Sequence, residues 1–257
     1  MLELISPLRG FTLQATDGPI GTVVDFLFND ASWKVRWLVV ECGSWLKGRK
    51  VLIHPPAVSY TGLEFESFNV SLTKAQIEGS PSWREHQPVS QQFQNSLYDY
   101  YGWDPVWDGA YLGGEMGAIS SPMSAPPYLG VDINARQRSE VEERQQGDPH
   151  LRSVFEVIGY HIHALDGDIG HVENFLFDNS DWSLHYFVVD TRNWWFGKHV
   201  LIATEAVKSV RWSDRHVEVD VLREQVRTSP TWDPLIAFTE IEKHVLHRHY
   251  GWAGSRA

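Results

Sequence analysis

The sequence contains little of three things that mark common protein classes: cysteine, positive net charge and long apolar runs. Cys42 is the single cysteine among 257 residues, which excludes an intrachain disulfide framework and favours a reducing compartment. No apolar run approaches the roughly 18 residues that a membrane-spanning helix needs. The first residues also lack the basic and apolar regions of a signal peptide. We therefore expect a soluble, cytoplasmic protein with no membrane span.

The charge balance is acidic. Lys and Arg total 22, whereas Asp and Glu total 33, so the formal net charge is −11 with histidine neutral. Nucleic acids and anionic membrane surfaces both require basic faces on their protein partners. We therefore expect no nucleic acid partner, and we predict that the unknown partner is a protein.

Tryptophan, by contrast, is abundant, and the positions of the 12 Trp residues disclose an internal duplication. Residues 20–33, IGTVVDFLFNDASW, match residues 169–182, IGHVENFLFDNSDW, at an offset of 149. Starting at Gly10 and Gly159, the two copies align without a gap over 94 positions, of which 29 are identical. Two copies this similar share a fold, and each is long enough to be a small domain.

The duplication divides the chain into three predicted segments. Residues 1–103 form repeat one, residues 104–149 a linker, and residues 150–257 repeat two. The linker is rich in Gly, Ser, Pro and Ala, a composition that buries too little apolar area to offset its ordering entropy. We interpret it as a tether; the alternative is a segment that binds a partner through its Tyr and Met side chains.

Short β-prone runs alternate with turn signals inside each repeat. In repeat one the pattern predicts strands over 20–28, 34–41 and 50–54. Short strands at close spacing indicate a sandwich or a barrel, and a barrel removes the unpaired edges of a small sheet. Helices are predicted near the end of each repeat, over 90–101 and about 239–250, and both stop at a glycine.

The order of the motifs resembles the PRC-barrel family. Both repeats contain Asp-Gly, Ile-Gly-x-Val, Phe-Leu-Phe, Trp, Val-Val-(Asp/Glu), a Trp-containing loop and Gly-(Arg/Lys)-x-Val-Leu-Ile, in that order. The resemblance extends over nearly the whole of each repeat and is strongest from Asp17 to Ile53 and over 166–202. The family includes the cytoplasmic domain of the photosynthetic reaction centre H subunit and the C-terminal domain of RimM.

The resemblance implies a mainly β fold of two small closed PRC-type β-barrels. Each barrel is followed by short helices, and the long irregular linker joins the two. It further implies docking to other proteins, with neither catalysis nor a cofactor. The chain shows neither the membrane helix of the H subunit nor the additional domain of RimM. We therefore expect no role in the light reaction or in ribosome assembly to follow from the fold alone.

A duplication offers an internal test for sites, because a site inherited from the ancestor keeps its residues in both copies. Two pairs of polar residues, Glu41/Asp190 and Arg49/Lys198, are shared by the repeats and are not easily explained by packing. In each repeat they flank one loop (43–48 and 192–197), which we call the Trp loop. Trp is enriched at interface hot spots, so we interpret this region as the docking site. The alternatives are a loop folded back over the barrel, and a cross-strand ion pair between its flanking residues. The candidates are Trp45, Trp194, Trp195, Glu41, Asp190, Arg49 and Lys198.

Catalytic and metal sites have little support in the sequence. Cys42 aligns with Thr191, and the phosphate-loop and G-x-S-x-G spacings are absent. Ten of the 12 histidines lie at or beyond residue 150, and none aligns with a histidine of the other repeat. His161 and His163 share one face of a predicted strand. We nevertheless predict no catalytic residue and no metal site.

We predict a non-catalytic docking or scaffold protein, in which the repeats pair pseudo-symmetrically or the chain forms homo-oligomers. One alternative is small-ligand binding or enzymatic activity in a cleft between the repeats, lined by His161, His163, Glu41 or Asp190. A deep polar cleft would favour it, and a dry apolar junction would oppose it. A second alternative is an RNA-associated factor similar to RimM, which requires a contiguous basic patch.

Overall fold

A computed structural model describes residues 1–60, 62–81, 89–103, 148–191, 199–234 and 238–252. Nearly all of the predicted linker lies outside the described residues, and so do Trp194, Trp195 and Lys198. Within the described ranges the chain is mainly β, with two seven-stranded sheets and a few short helices.

Repeat one supplies strands whose positions agree with the sequence pattern. They are β1 (Leu2–Leu4), β2 (Thr12–Ala15), β3 (Gly18–Asn29), β4 (Lys34–Cys42), β5 (Lys50–Ile53), β6 (Val58–Tyr60) and β7 (Ser67–Val70). The helices that follow are α1 (Lys74–Glu78) and α2 (Gln91–Tyr101). Helix α2 begins where the Ser90 hydroxyl accepts a hydrogen bond from the Phe93 N–H, at 3.2 Å, and ends at Gly102 in the left-handed conformation.

The strands of repeat two follow the same order as those of repeat one. Its long strand begins and ends 149 residues after β3. Its strands are β8 (Leu151–Ser153), β9 (His161–Ala164), β10 (Gly167–Asp178), β11 (Leu184–Asp190), β12 (His199–Ala203), β13 (Val207–Arg211) and β14 (His216–Val219). Its helices are α3 (Val154–Val157), α4 (Arg223–Thr228) and α5 (Glu240–Tyr250). The predicted helix near 239–250 is therefore confirmed.

The two sheets have the same strand order. It is β5-β4-β3-β2-β7-β6 in repeat one and β12-β11-β10-β9-β14-β13 in repeat two. Register shifts in the pairing of β3 with β4, between Val23 and Asp25 and between Leu27 and Phe28, mark the bulges that bend a strand. Pairing of β5 with β6, or of β12 with β13, is not observed among the described residues. Closure into barrels therefore stays a prediction.

The two repeats exchange their first strands. Strand β1 pairs antiparallel with β10 of repeat two, with Leu2 opposite Asp178. Strand β8 pairs in the same way with β3 of repeat one, with Leu151 opposite Asn29. Leu2 and Leu151 are equivalent positions, 149 residues apart, and so are Asn29 and Asp178. The exchange is therefore reciprocal. Each sheet thus contains six strands of one repeat and one strand of the other, whereas the predicted boundaries treat the repeats as self-contained.

Further contacts across the junction repeat this pseudo-twofold relation. The Val35 N–H donates to the Trp182 carbonyl oxygen at 2.9 Å, and the equivalent Leu184 N–H donates to the Trp33 carbonyl oxygen at 2.7 Å. Both tryptophans have a left-handed backbone, with φ of 55° and 63°. The expected pseudo-symmetric pairing of the repeats is therefore observed.

Aromatic rings fill the space between the repeats. Rings of repeat one lie close to rings of repeat two, with centroids 5.2 to 6.3 Å apart. Such separations are typical of favourable aromatic pairs, and they join the buried side chains of both repeats into one core. The pairs are Phe26 with Trp182, Phe28 with Phe175, and Trp33 with Phe187.

A largely buried carboxylate ties the exchanged segment of repeat two to β3. Asp25 Oδ2 accepts the Ser153 hydroxyl at 2.6 Å, and its Oδ1 accepts the Phe26 N–H at 2.7 Å. Burial raises the pKa of Asp25 above its ordinary value, although these hydrogen bonds act in the opposite direction. The equivalent residue of repeat two is Asn174, whose side-chain oxygen accepts the N–H and the hydroxyl of Ser6.

We expect Gly21→Ala to lower the free energy of unfolding by about 3 kcal/mol or more, as for severe overpacking. A Cβ at Gly21 would lie 2.0 Å from the Glu41 carbonyl oxygen, and strand pairing leaves that backbone no room to move. The control is Gly43→Ala, whose Cβ would meet only the Trp45 ring at 3.8 Å. Urea denaturation measures both variants, and a Gly21→Ala variant as stable as the control would contradict this packing.

We expect Asp25→Asn to gain stability relative to the wild type as the pH rises. Because the pKa of Asp25 is raised in the folded chain, the unfolded chain loses this proton first, at the ordinary value of 3.8. The wild type therefore loses stability as the pH rises from about 4 through the folded pKa, and the loss persists above it. The amide, which copies Asn174, does not titrate. Urea denaturation of both proteins between about pH 4 and pH 7 tests this, and a pH-independent difference would contradict it.

Candidate functional site

In repeat one the Trp loop folds back onto the sheet. The indole N–H of Trp45 donates to the carbonyl oxygen of Ile20 at 2.6 Å, and the ring is half-buried against the core. The ammonium group of Lys74 lies 5.7 Å from the centre of the ring, within cation–π range. This geometry favours the packing alternative for Trp45. A docking role for Trp45, Trp194 and Trp195 stays a prediction.

Arg49 anchors the end of the Trp loop to the residues after α1. Its guanidinium donates to three backbone carbonyl oxygens at 2.7 to 3.1 Å, those of Glu78, Ser80 and Pro81. Across the β4–β5 ladder, Glu41 lies opposite Lys50 rather than Arg49. No ion pair joins Glu41 to Arg49 in the described part of the chain, so Arg49 has a structural role here.

Glu41 and Asp190 are equivalent in sequence but differ in their surroundings. Glu41 is exposed, whereas Asp190 is 2% exposed, with Nε2 of His171 at 3.7 Å from its Oδ2. In this conformation Asp190 offers no surface to a partner. The pair Glu41 and Asp190 therefore does not present the same surface on the two repeats.

In the ranges that the structure describes, aromatic rings fill the centre of the junction between the repeats, and hydrogen-bonded polar pairs such as Asp25 with Ser153 lie beside them. The aromatic pairs described above occupy the junction, while His161 and His163 lie on the outer face of β9, alternating with buried residues. The alternative of a polar cleft at the junction thus finds no support there. The expectation that the chain is not an enzyme stays a prediction.

An apolar groove lies in repeat two beside α5. Two of its side chains are unusually exposed for aliphatic residues, Ile241 at 76% and Val245 at 48%. Large apolar groups in such positions often mark binding surfaces. The groove is lined by Leu201, Pro230, Thr231, Trp232, Phe238, Ile241, Glu242, Val245 and Leu246.

Helix α5 packs against the sheet through one face and leaves an apolar stripe on another face exposed to solvent. Its inner face contains the buried Leu246 and His247, and Nε2 of His247 lies 2.7 Å from the Tyr186 hydroxyl of β11. Ile241 and Val245 are four residues apart and therefore lie together on another face of the helix. This stripe was not predicted from the sequence. Its i, i+4 spacing was the available signal.

The place in repeat one that corresponds to Glu242 of the groove has a different side chain. Glu242 is replaced there by Phe93, which packs with Val89, Leu52 and Leu97. The segment before β8 also crosses this place, because the Asp148 N–H donates to the Val89 carbonyl oxygen at 2.7 Å. The two repeats thus differ in the side chains and chain segments around this place.

Comparison with known families gives a match in each repeat. The sequence model described as the PRC-barrel domain matches residues 2–62 and 153–226, which together are more than half of the chain. A search of the curated proteins finds no match. In the described ranges, no helix combines the length and apolar character that crossing a bilayer requires.

We expect Trp45→Ala to lower the free energy of unfolding by about 3 kcal/mol, the lower end for large-to-small changes because the ring is half-buried. Trp45→Phe keeps a six-membered aromatic ring but loses the indole N–H that donates to Ile20 and part of the packed ring area, so its loss should be smaller, nearer 1 kcal/mol. Urea denaturation measures both variants. An alanine variant with wild-type stability would refute the packing interpretation and favour docking by Trp45.

Proposed function

The chain belongs to the PRC-barrel family, with two PRC-barrel domains in tandem, and we propose that it is a non-catalytic docking protein whose contact site is the groove beside α5. The observation that supports this most directly is the exposed pair Ile241 and Val245. The same fold in repeat one fills the corresponding place with Phe93. Phe93 packs against a buried cluster, whereas Ile241 and Val245 stay exposed, and this exposure supports a bound segment.

The partner segment is apolar on one face and basic around it. The groove wall is almost entirely apolar and provides pockets for aliphatic or aromatic side chains. Glu242 is its one charged lining residue, and the chain carries a formal charge of −11. Such a charge attracts a basic partner and speeds the encounter. An amphipathic helix with Lys or Arg beside its apolar stripe meets both conditions.

The proposal also includes closed barrels and a cytoplasmic location. Each sheet closes into the small barrel that gives the family its name, with the bulges of β3 supplying the necessary bend. The protein works in the cytoplasm, where its single, buried Cys42 stays reduced.

The proposal is tested in the full chain by photo-cross-linking from the groove. A photoreactive residue in place of Val245 is expected to capture a partner through a basic amphipathic segment. The same residue in place of Leu165, which is 53% exposed but outside the groove, is the control. Capture from both positions alike would show non-specific adhesion and would contradict the proposal.

Binding of the captured partner is then measured with matched variants. Ile241→Gln and Val245→Ser install the residues of repeat one, Gln92 and Ser96, and together should weaken binding at least about tenfold, as loss of a hot spot does. Leu165→Thr, which copies Thr16, should leave the affinity unchanged. If the purified chain instead dimerises and only the groove variants prevent it, the occupant is a second copy. The proposal of a separate partner then fails.

A further inference from the structure

Three strands of repeat two place two histidines and an aspartate side by side on the outer face of the sheet. His163 of β9 lies directly opposite Asp168 of β10. Strand β14 runs parallel to β9 on its other side and places His216 opposite His161, two residues from His163. The neighbours of these residues, Ile162 and Val217, point into the core. The three polar side chains therefore share the opposite face.

The side chains of this triad, His163, Asp168 and His216, lie close enough to share an ion. One ligand atom from each lies within 4.8 Å of the other two. Nδ1 of His163 is 2.8 Å from Oδ1 of Asp168, and the two imidazole rings are 5.4 Å apart. Nε2 of His216 is buried and accepts or donates no hydrogen bond within the described residues. Such an atom lacks the partner that a buried nitrogen normally has.

We propose that the triad binds a divalent transition metal ion, with Zn²⁺ as the natural occupant. Two imidazoles and one carboxylate are typical zinc ligands, and solvent completes a tetrahedral site. Calcium and magnesium prefer all-oxygen sites, so they are poorly matched here. Neighbouring ligands around zinc are about 3.3 Å apart, given bonds of about 2.0–2.1 Å. Partly exposed side chains cover the remaining distance by rotation about χ1 and χ2.

The surrounding charges suit a cation. Arg211 lies near His216, and its guanidinium lies 3.5 Å from the Glu218 carboxylate, which also accepts the Ser209 hydroxyl at 2.8 Å. Glu218 thus offsets the positive charge of Arg211.

The triad exists only in repeat two. The equivalent positions of repeat one are Gln14, Pro19 and Ser67, which cannot form this site. The sequence predicted no metal site because the triad joins residues 53 positions apart, and only His163 was noted. Repeat one also shows that this fold tolerates Gln and Ser at the two histidine positions, which supplies conservative test variants.

The test uses the full chain freed of metal with a chelator. Zn²⁺ binding is followed by calorimetry, and Co²⁺ binding by visible absorption, which distinguishes four- and five-coordinate from six-coordinate ions. The variants are His163→Gln and His216→Ser, with Asp168→Asn as a third because its exposed side chain is not needed for folding. His244→Asn, which copies Asn95 at an exposed position of α5, is the matched control.

We expect one Zn²⁺ per chain, strong Co²⁺ bands of low coordination number, and at least about tenfold weaker binding in each triad variant. The control should bind like the wild type. Zinc should also raise the unfolding temperature of the wild type and the control, but not that of the triad variants. Absence of saturable binding, a six-coordinate cobalt spectrum, or unchanged affinity in the triad variants would each overturn the proposal.

Discussion

The reciprocal exchange of β1 and β8 is the contact on which the rest of the structure depends. Each long strand, β3 or β10, has an end that pairs with the first strand of the other repeat. An unpaired strand edge leaves backbone donors and acceptors unsatisfied, so neither sheet is complete without its neighbour. Aromatic rings at the junction pack against one another and join the buried side chains of the two sheets into a single core. The tandem arrangement is therefore one folding unit built from two copies of one plan.

Residues shared by the two repeats mostly serve this common frame, and the differences lie on its outer surfaces. Gly21 and Gly170 allow the same close approach of a neighbouring strand, and Trp45 and Arg49 hold their loop in place. The lining of the groove, by contrast, includes Glu242 where repeat one has Phe93. Identity between the copies was thus a good guide to packing, because backbone constraints act equally on both copies, and a poor guide to the candidate sites, which lie where the copies differ.

Both candidate sites occur in repeat two, at separate places. The groove is formed by α5 with β12, whereas the triad lies on β9, β10 and β14. Repeat one completes the sheet of repeat two with β1. Such a division is possible because a duplicated frame tolerates change at exposed positions of one copy, as long as the buried positions of both keep their volume and the strands keep their register.

The sequence by itself determined the duplication, the family, and the approximate strands and helices. These follow from local periodicity, turn residues and the constant offset, all of which can be read along the chain. Only the tertiary structure decided that β1 pairs with β10 and β8 with β3. Both repeats have the same sequence pattern, and the backbone of either first strand could pair with either long strand. It also decided the groove and the triad, because His163 and His216 meet only when β9 and β14 pair. No local pattern encodes that neighbourhood, for strand pairing depends on backbone hydrogen bonds that every residue except proline can make.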